Sequence, residues 1–433
     1  MKKPISGFSK LNKSEKIEWL IKNSFSSSNN IKSILLQYYN SNEQLQKLHD
    51  EFAENTISNF YLPFAIAPNF LINNKHYTVP MVTEESSVIA AASKSAKFWL
   101  DKGGFKAEVL STIKIGQVHF IYKGDFKNLK KYFDKIKPKL ISDVSSITAN
   151  MIKRGGGINS IELVNLNHKL KDYYQLKATF DTKDAMGANF INSCLEQFSN
   201  TFKGNFANSS EIEIIMSILS NYVPECIVRA EVSCKVEELS DSSINDPVDF
   251  ANKFLRAVKI AEVDKFRAVT HNKGIMNGVD SVVIATGNDF RAIESAAHAY
   301  ASKDGSYKSL TKASVNNKTF NFSIEIPLAL GTVGGLTKLH PLANLALEIL
   351  ENPNAKDLMK ITAVAGLAQN FAAIKSLITT GIQHGHMKMH LINILNQHKA
   401  SDSEKEKAIE YFKTNTVSHL KVDLFINKLR SNE

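Results

Sequence analysis

Apolar residues in this chain recur with two periods that alternate along its length, and no apolar run is long enough to replace that alternation with a membrane span. Residues 9–60 repeat at helical spacing, with Ile17, Leu20 and Ile21 and then Ile34, Leu35 and Tyr38 separated by polar residues. After Pro63 short apolar stretches (Phe64 to Ile66, Phe70 to Ile72, Tyr77 to Val79), punctuated by Pro68 and Asn73-Asn74, predict strands. The small-residue run from Ser87 predicts a helix ending at Gly103-Gly104. Segments 111–122, 159–166, 211–219 and 227–236 alternate as strands, whereas 126–153, 184–203 and 247–263 read as helices. A short strand, Val282 to Ala285, is expected before a Gly-Asn-Asp turn and a helix from Arg291 to Tyr300. Helices at 341–351 and 355–380, with more after Gly381, complete the pattern. The longest apolar stretch, 361–382, is broken by Gln369, Asn370 and Lys375. A mixed α+β or α/β multidomain protein follows, with 109–217 behaving as a separate α+β unit and no internal repeat.

Composition narrows the function classes. With 433 residues, 43% hydrophobic and 22% charged, the chain is neither collagen-like, disordered nor a disulfide scaffold. The net charge of +10 would suit a polyanion, yet the six arginines (Arg154, Arg229, Arg256, Arg267, Arg291, Arg430) are few beside 47 scattered lysines. Base readout leans on the guanidinium fork, so no nucleic-acid partner is expected. Cys194, Cys226 and Cys234 are odd in number without C-x-x-C spacing, which implies neither a disulfide framework nor zinc. The basic N-terminus has no apolar run behind it, so a secretory signal is not expected, and the reading is a soluble, cytoplasmic protein with no membrane partner.

Four segments concentrate ionisable and amide groups: PMVTEESS (80–87), RAVTHNKGIMNG (267–278), TGNDF (286–290) and QHGHMKMH (383–390). Taken singly, each has a structural reading: Glu84, Glu85 and Asp289 suit helix N-termini, and Lys273 suits a surface. His386 and His390 stand at i, i+4, but no glutamate lies between them and Lys388 does, so no metal is expected. The glycine runs RGGG (154–157) and GTVGG (331–335) match neither the Rossmann nor the Walker signature.

Together with DAMGANFIN (184–192), ATGNDFRAIESAAHAYA (285–301), GTVGGLTKLHPLA (331–343), GLAQN (366–370) and GHM (385–387), these segments resemble, in order and spacing, 3-hydroxy-3-methylglutaryl-coenzyme A reductase. The wording of TEE, HNKGIMNG and GHM resembles the bacterial class II form, and the match runs from about residue 50 to 390. The resemblance implies reduction of hydroxymethylglutaryl-CoA to mevalonate and CoA by two hydrides from NAD(P)H. It also implies an architecture: a large CoA-substrate domain (1–108 and 218–380), an inserted small non-Rossmann, ferredoxin-like dinucleotide-binding domain (109–217) and a C-terminal helical flap (381–433). A homodimer with active sites at the interface is expected, with higher assembly as an extension.

The resemblance also assigns residues. Lys273 is the catalytic cation that stabilises the developing oxyanion, and Glu85 is the acid toward the aldehyde oxygen, which requires burial to raise its pKa. Asp289 lies between these groups and tunes their protonation, and His386 protonates the departing thiolate. Ser87, Asn221, Arg267 and Asn277 hold the hydroxymethylglutaryl moiety, with Arg267 gripping its carboxylate, and Gln369 contacts the CoA side. Asp184, Met186, Gly187, Ala188 and Asn189, with Gly155, Gly156 and Gly157, form the cofactor site. NAD-preferring members carry an aspartate about seven residues before the glycine run, where this chain has Thr148, and with Lys153 and Arg154 nearby the expectation is NADPH over NADH. Three departures stand out: ENTIS at 54–58 where ENVIG is usual, Ser86 where proline is common, and His384 in place of an arginine. The rival readings are a mevalonate-degrading, NAD-dependent enzyme on the same fold and a catalytically inactive CoA-binding paralogue.

Overall fold

The computed structural model describes residues 4–25, 30–379, 391–415 and 417–431. They form two compact units, 1–63 and 64–433. In the first, three helices follow the periodicity: α1 (Lys13–Ser24), α2 (Ile31–Gln37) and α3 (Glu43–Asp50). A capping box between Asn12 and Glu15 starts α1, and Asn42 caps α3.

In the second unit, strands β1 (Phe64–Ile72) and β2 (Lys75–Val82) pair as an antiparallel hairpin. Its turn is Asn73-Asn74, both at positive φ, the conformation that asparagine tolerates better than other side-chain-bearing residues. Helix α4 (Val88–Leu100) packs on β1, and β3 (Lys106–Val109) follows. The chain then leaves this layer. Leu110 N–H donates to the Ile227 carbonyl at 2.8 Å and Ile227 N–H to the Ser111 carbonyl at 2.9 Å, so the outgoing and returning strands run side by side.

Between those points the chain builds a separate sheet. Its elements are β4 (Lys114–Tyr122), α5 (Phe126–Asp143), α6 (Ser145–Lys153), β5 (Gly157–Asn165), β6 (Tyr173–Asp181), α7 (Ala188–Gly204) and β7 (Ile212–Leu219). All pairs are antiparallel, in the order β5-β6-β4-β7. The alternating inward residues of β4 and β6, Val118, Phe120, Leu176, Ala178 and Phe180, meet Leu129 and Phe133 of α5 and Leu195 and Phe198 of α7 in a core of their own.

After β8 (Ile227–Lys235) come α8 (Pro247–Val263), α9 (Lys265–Ala285), α10 (Phe290–Ala301), β9 (Thr311–Asn316), β10 (Thr319–Pro327), α11 (Leu336–Leu339), α12 (Pro341–Ile349) and α13 (Ala355–Ile378). The larger sheet orders as β3-β8-β10-β9 and carries the main core, around Trp99, Phe254, Phe320, Phe322 and Phe371. The helices Asp402–Tyr411 and His419–Ser431 share a third, small core with Leu391 and Leu395.

The strand expected at Val282 to Ala285 is the last turn of α9 instead. β-Branched residues in a row read as a strand, but Val282 and Val283 are both buried in a helix that packs on α13, and tertiary packing overrides the local preference. Strands β3, β6, β9 and β10 were not anticipated from the sequence. Among the described residues α13 alone is long and apolar enough to cross a membrane, and 67% of its most apolar stretch is buried in the protein. The three thiols are free and buried, and burial pushes Cys194 up to about 12 and Cys226 and Cys234 up to about 11. They are inert at neutral pH.

Helices α9 and α13 approach closely because Gly278 and Gly366 lie in their interface. A Cβ on Gly278 would stand 2.4 Å from the Ala365 carbonyl oxygen, a backbone atom that cannot swing aside. Replacing Gly278 by alanine is expected to cost about 1–3 kcal/mol, read as a lower denaturant midpoint at unchanged slope.

Candidate active site

The segment HNK is read out on α9 as two buried residues followed by one that faces solvent. His271 Nε2 lies 2.6 Å from Thr311 Oγ1, and Asn370 Nδ2 donates to the His271 carbonyl at 3.2 Å. Asn272 Nδ2 donates to the Lys308 carbonyl at 2.9 Å and its Oδ1 accepts from Leu310 N–H at 3.0 Å. Burial first, then the charge of Arg267, pushes His271 down to about 3, so it stays neutral at physiological pH and serves as a fixed strut. These anchors set the rotation of α9, which turns Lys273 outward with a 60% exposed side chain.

Lys273 meets Glu85 there. Its Nζ lies 2.7 Å from Glu85 Oε2, and Asn277 Nδ2, one helical turn on, lies 3.5 Å from the same oxygen. Glu85 is held by a tight loop: its N–H donates to Thr83 Oγ1 at 3.2 Å, and Ser87 enters α4 in the left-handed region at φ 76°. A serine at that φ is strained, a condition found where a loop aims functional groups. The burial expected for Glu85 is absent, since its side chain is 40% exposed beside a cation. Arg267 is half-buried and makes no ion pair among the described residues, and partial desolvation pushes its pKa down.

Asp289 is placed differently from the expectation. It caps α10, accepting from the N–H groups of Arg291 and Ala292 at 3.0 and 3.3 Å, and pairs with the Arg291 guanidinium at 3.0 Å. Partial burial acts to raise its pKa, but the Arg291 side chain and the α10 amides hold the carboxyl below its usual range. No hydrogen bond or ion pair among the described residues joins it to Lys273 or Glu85. The helix-capping reading of this aspartate is the one that the geometry displays. Its turn is anchored by Asn288, whose Oδ1 accepts from Gly331 N–H at 2.8 Å.

Gln369 also departs from expectation: it is 6% exposed, packed where α13 crosses Gly278, and its Oε1 is buried without a partner. His386, like His384, Gly381 and Gly385, lies outside the described residues.

The two segments expected to meet a dinucleotide adjoin. Gly157 pairs with Asp181 across β5 and β6, and a Cβ on Gly156 would fall 2.5 Å from the Asp181 carbonyl oxygen. Gly187 (φ 94°) starts α7 with no side-chain cap, and a Cβ there would meet Thr182 Cγ2 at 2.5 Å. Glycine alone fits such a cradle, and the uncapped amides of α7 present a site suited to an anion. Asp184, Met186, Ala188 and the exposed Asn189 complete the segment, and Asn221 lines a crevice with Met186 and Ala292 of α10. Thr148 is buried, with its hydroxyl donating to the Val144 carbonyl at 3.1 Å, so it offers no group to a ribose. No cluster of metal-binding groups occurs among the described residues.

One group was missed. Asp280 lies one helical turn beyond Asn277, and burial, then Glu294 of α10 and Glu84, push its carboxyl up to about 8. Its motif position alone gave no signal, because the partners come from two other elements. The folded protein binds a proton here that the unfolded chain has released from about pH 4 upward, so this carboxyl costs stability increasingly as pH rises toward 8. Asp280→Asn is therefore expected to unfold at a higher temperature than the parent at pH 8, with the gap closing toward pH 4. Thermal unfolding at the two pH values checks it, and an unchanged gap would contradict the buried-proton reading.

The chain is similar to known proteins over most of its length. Residues 14–391 match the model of the hydroxymethylglutaryl-coenzyme A reductase family. The chain is 35% identical to 3-hydroxy-3-methylglutaryl-coenzyme A reductase of Archaeoglobus fulgidus over 95% of this chain and 91% of that protein. It is 34% identical to a probable enzyme of the same name from Borreliella burgdorferi, over 83% of each. The class II reductase of Streptococcus pneumoniae, solved bound to NADPH in open conformations, superposes with a TM-score of 0.72 at 33% identity, covering 97% of this chain and all of that one. On sequence, fold and the segments that meet at α9, the chain belongs to the hydroxymethylglutaryl-coenzyme A reductase family of oxidoreductases.

Proposed function

We propose that this chain reduces hydroxymethylglutaryl-CoA to mevalonate and CoA at the expense of two NADPH and two protons. The observation that carries the reading is the Lys273–Glu85 pair, fixed by α9 and the strained loop before α4. Substrate binding brings the thioester carbonyl oxygen to Lys273 Nζ, where the ammonium balances the negative charge that hydride addition creates. Asn277 and Ser87 hold the hydroxymethyl end, and Arg267 takes the free carboxylate. Glu85 gives its proton to the aldehyde oxygen in the second reduction, and His386 protonates the thiolate as it departs. The nicotinamide supplies the hydrides when bound. Gly155 to Gly157 with Asp184 to Asn189 hold the dinucleotide, and the exposed Lys153 and Arg154 favour a 2′-phosphate. The same residues serve the reverse, mevalonate-oxidising direction.

We further infer a division into a large domain (1–108 and 218–380), a cofactor domain (109–217) and a C-terminal flap (381–433), supported by the separate cores and the paired strands at 110–111 and 227. Cytoplasmic location and a homodimer belong to the same reading. The dimer is supported by apolar side chains left bare on α8, α9, α11 and α12: Phe266 is 88% exposed, and Val263, Leu339 and Leu342 are exposed too. A second copy closing over this face excludes water from it.

Oxidation of NADPH followed at 340 nm with hydroxymethylglutaryl-CoA tests the activity, with two cofactors consumed per CoA released. Lys273→Ala is expected to lower kcat by about 10²–10³-fold or more with the fold intact, and an active variant would refute its role. Phe266→Asp is expected to shift the protein from dimer to monomer in sedimentation. A dimer that persists would move the interface elsewhere.

A further inference from the structure

Lys114, the first residue of β4, is 5% exposed, yet its ammonium forms no ion pair among the described residues. Its Nζ donates to Thr182 Oγ1 at 2.5 Å and to the Ala185 carbonyl at 2.8 Å, while Thr182 Oγ1 donates to the same carbonyl at 2.7 Å. Asp181 is taken by Lys183, and Asp184 Oδ1 accepts from Ala355 N–H at 2.8 Å. A buried cation spent on neutral acceptors is costly, and a neutral side chain of similar length would fill the same volume. Its position therefore calls for a role beyond packing.

The residues that it holds supply one. Thr182 to Gly187 form the turn that enters α7, and the large-domain side already braces that turn at two points. Thr332 N–H donates to the Asp184 carbonyl at 2.8 Å, and Gly331 lies so close that a Cβ would stand 2.4 Å from Met186 N. Lys114 is the brace from the cofactor-sheet side. It also places a positive charge behind the uncapped amides that begin α7, where a dinucleotide phosphate is to sit. The crevice that it lines with Met186, Asn221 and Ala292 joins this turn to the substrate side.

We propose that Lys114 is a positioning residue for the reductive reaction, holding the 182–187 turn and its charge in the geometry that binds the dinucleotide. The proposal rests on reading 184–189 as the cofactor site. Burial pushes the Lys114 pKa down, and the nearby Asp181 and Asp184 carboxylates oppose that shift.

The test titrates NADPH into the full-length protein, followed by its fluorescence, and measures KM for each substrate separately. Lys114→Met and Thr182→Val are each expected to weaken NADPH binding about tenfold, and Thr182→Ser to restore it. KM for hydroxymethylglutaryl-CoA is expected to stay within about twofold. Variants that bind NADPH as the parent does would overturn the proposal, and so would equal losses for both substrates, which mean general loosening. Should Lys114→Met fail to fold, the Thr182 pair decides: identical binding by Thr182→Val and Thr182→Ser overturns it. A parent protein that turns over while the variants match it leaves the reductase reading intact and removes Lys114 alone. A parent that binds no NADPH removes both.

Discussion

The close crossing of α9 and α13 is the constraint on which the site depends. Gly278 and Gly366 let the two backbones approach until a methyl group would clash with a carbonyl, and that contact fixes both the height and the rotation of α9. His271 and Asn272 lock the rotation through bonds to Thr311, Lys308 and Leu310, which turns their neighbour Lys273 out of the core. A cation meant to meet a developing oxyanion must be held in place, and this arrangement achieves it by burying the two residues before it.

Electrostatics then separates neighbouring carboxylates that look alike in the sequence. Glu85 pairs with Lys273 in an open position, Asp280 keeps a proton among Glu84 and Glu294, and Asp289 is held ionised by Arg291 and the start of α10. Asp280 and Asp289 thus shift in opposite directions, set by partner and burial rather than by residue type. The cofactor side follows a similar logic, with glycines where backbone must approach backbone and one buried lysine where the turn needs a donor.

Much of this was legible beforehand. Helix α8, strands β4, β5, β7 and β8 and the hairpin after Pro63 follow from periodicity, whereas α13, buried without a break from Ile361 to Phe371, follows from an apolar run too long for a strand. The site segments were legible because their residue types recur together in a known family. What was not legible depends on distant partners. Val282 and Val283 read as a strand until packing of the large core buries them in α9, and β9 and β10 are defined by pairing with β8 and with each other. Asp280 carries no mark of its unusual proton, since Glu84 and Glu294 are remote in the chain. Thr148 and Gln369 were placed at ligand sites by the family resemblance, whereas packing turns both inward.

The sequence by itself determined the alternation of helix and strand, the family and the identity of the chemical groups, because period, glycine placement and motif wording are local. Only the tertiary structure decided which carboxylate keeps a proton, that Lys273 faces Glu85, and that Lys114 is spent beneath the 182–187 turn. Those properties are set by distances and by exclusion of water, and both arise only when segments far apart in the chain are packed together.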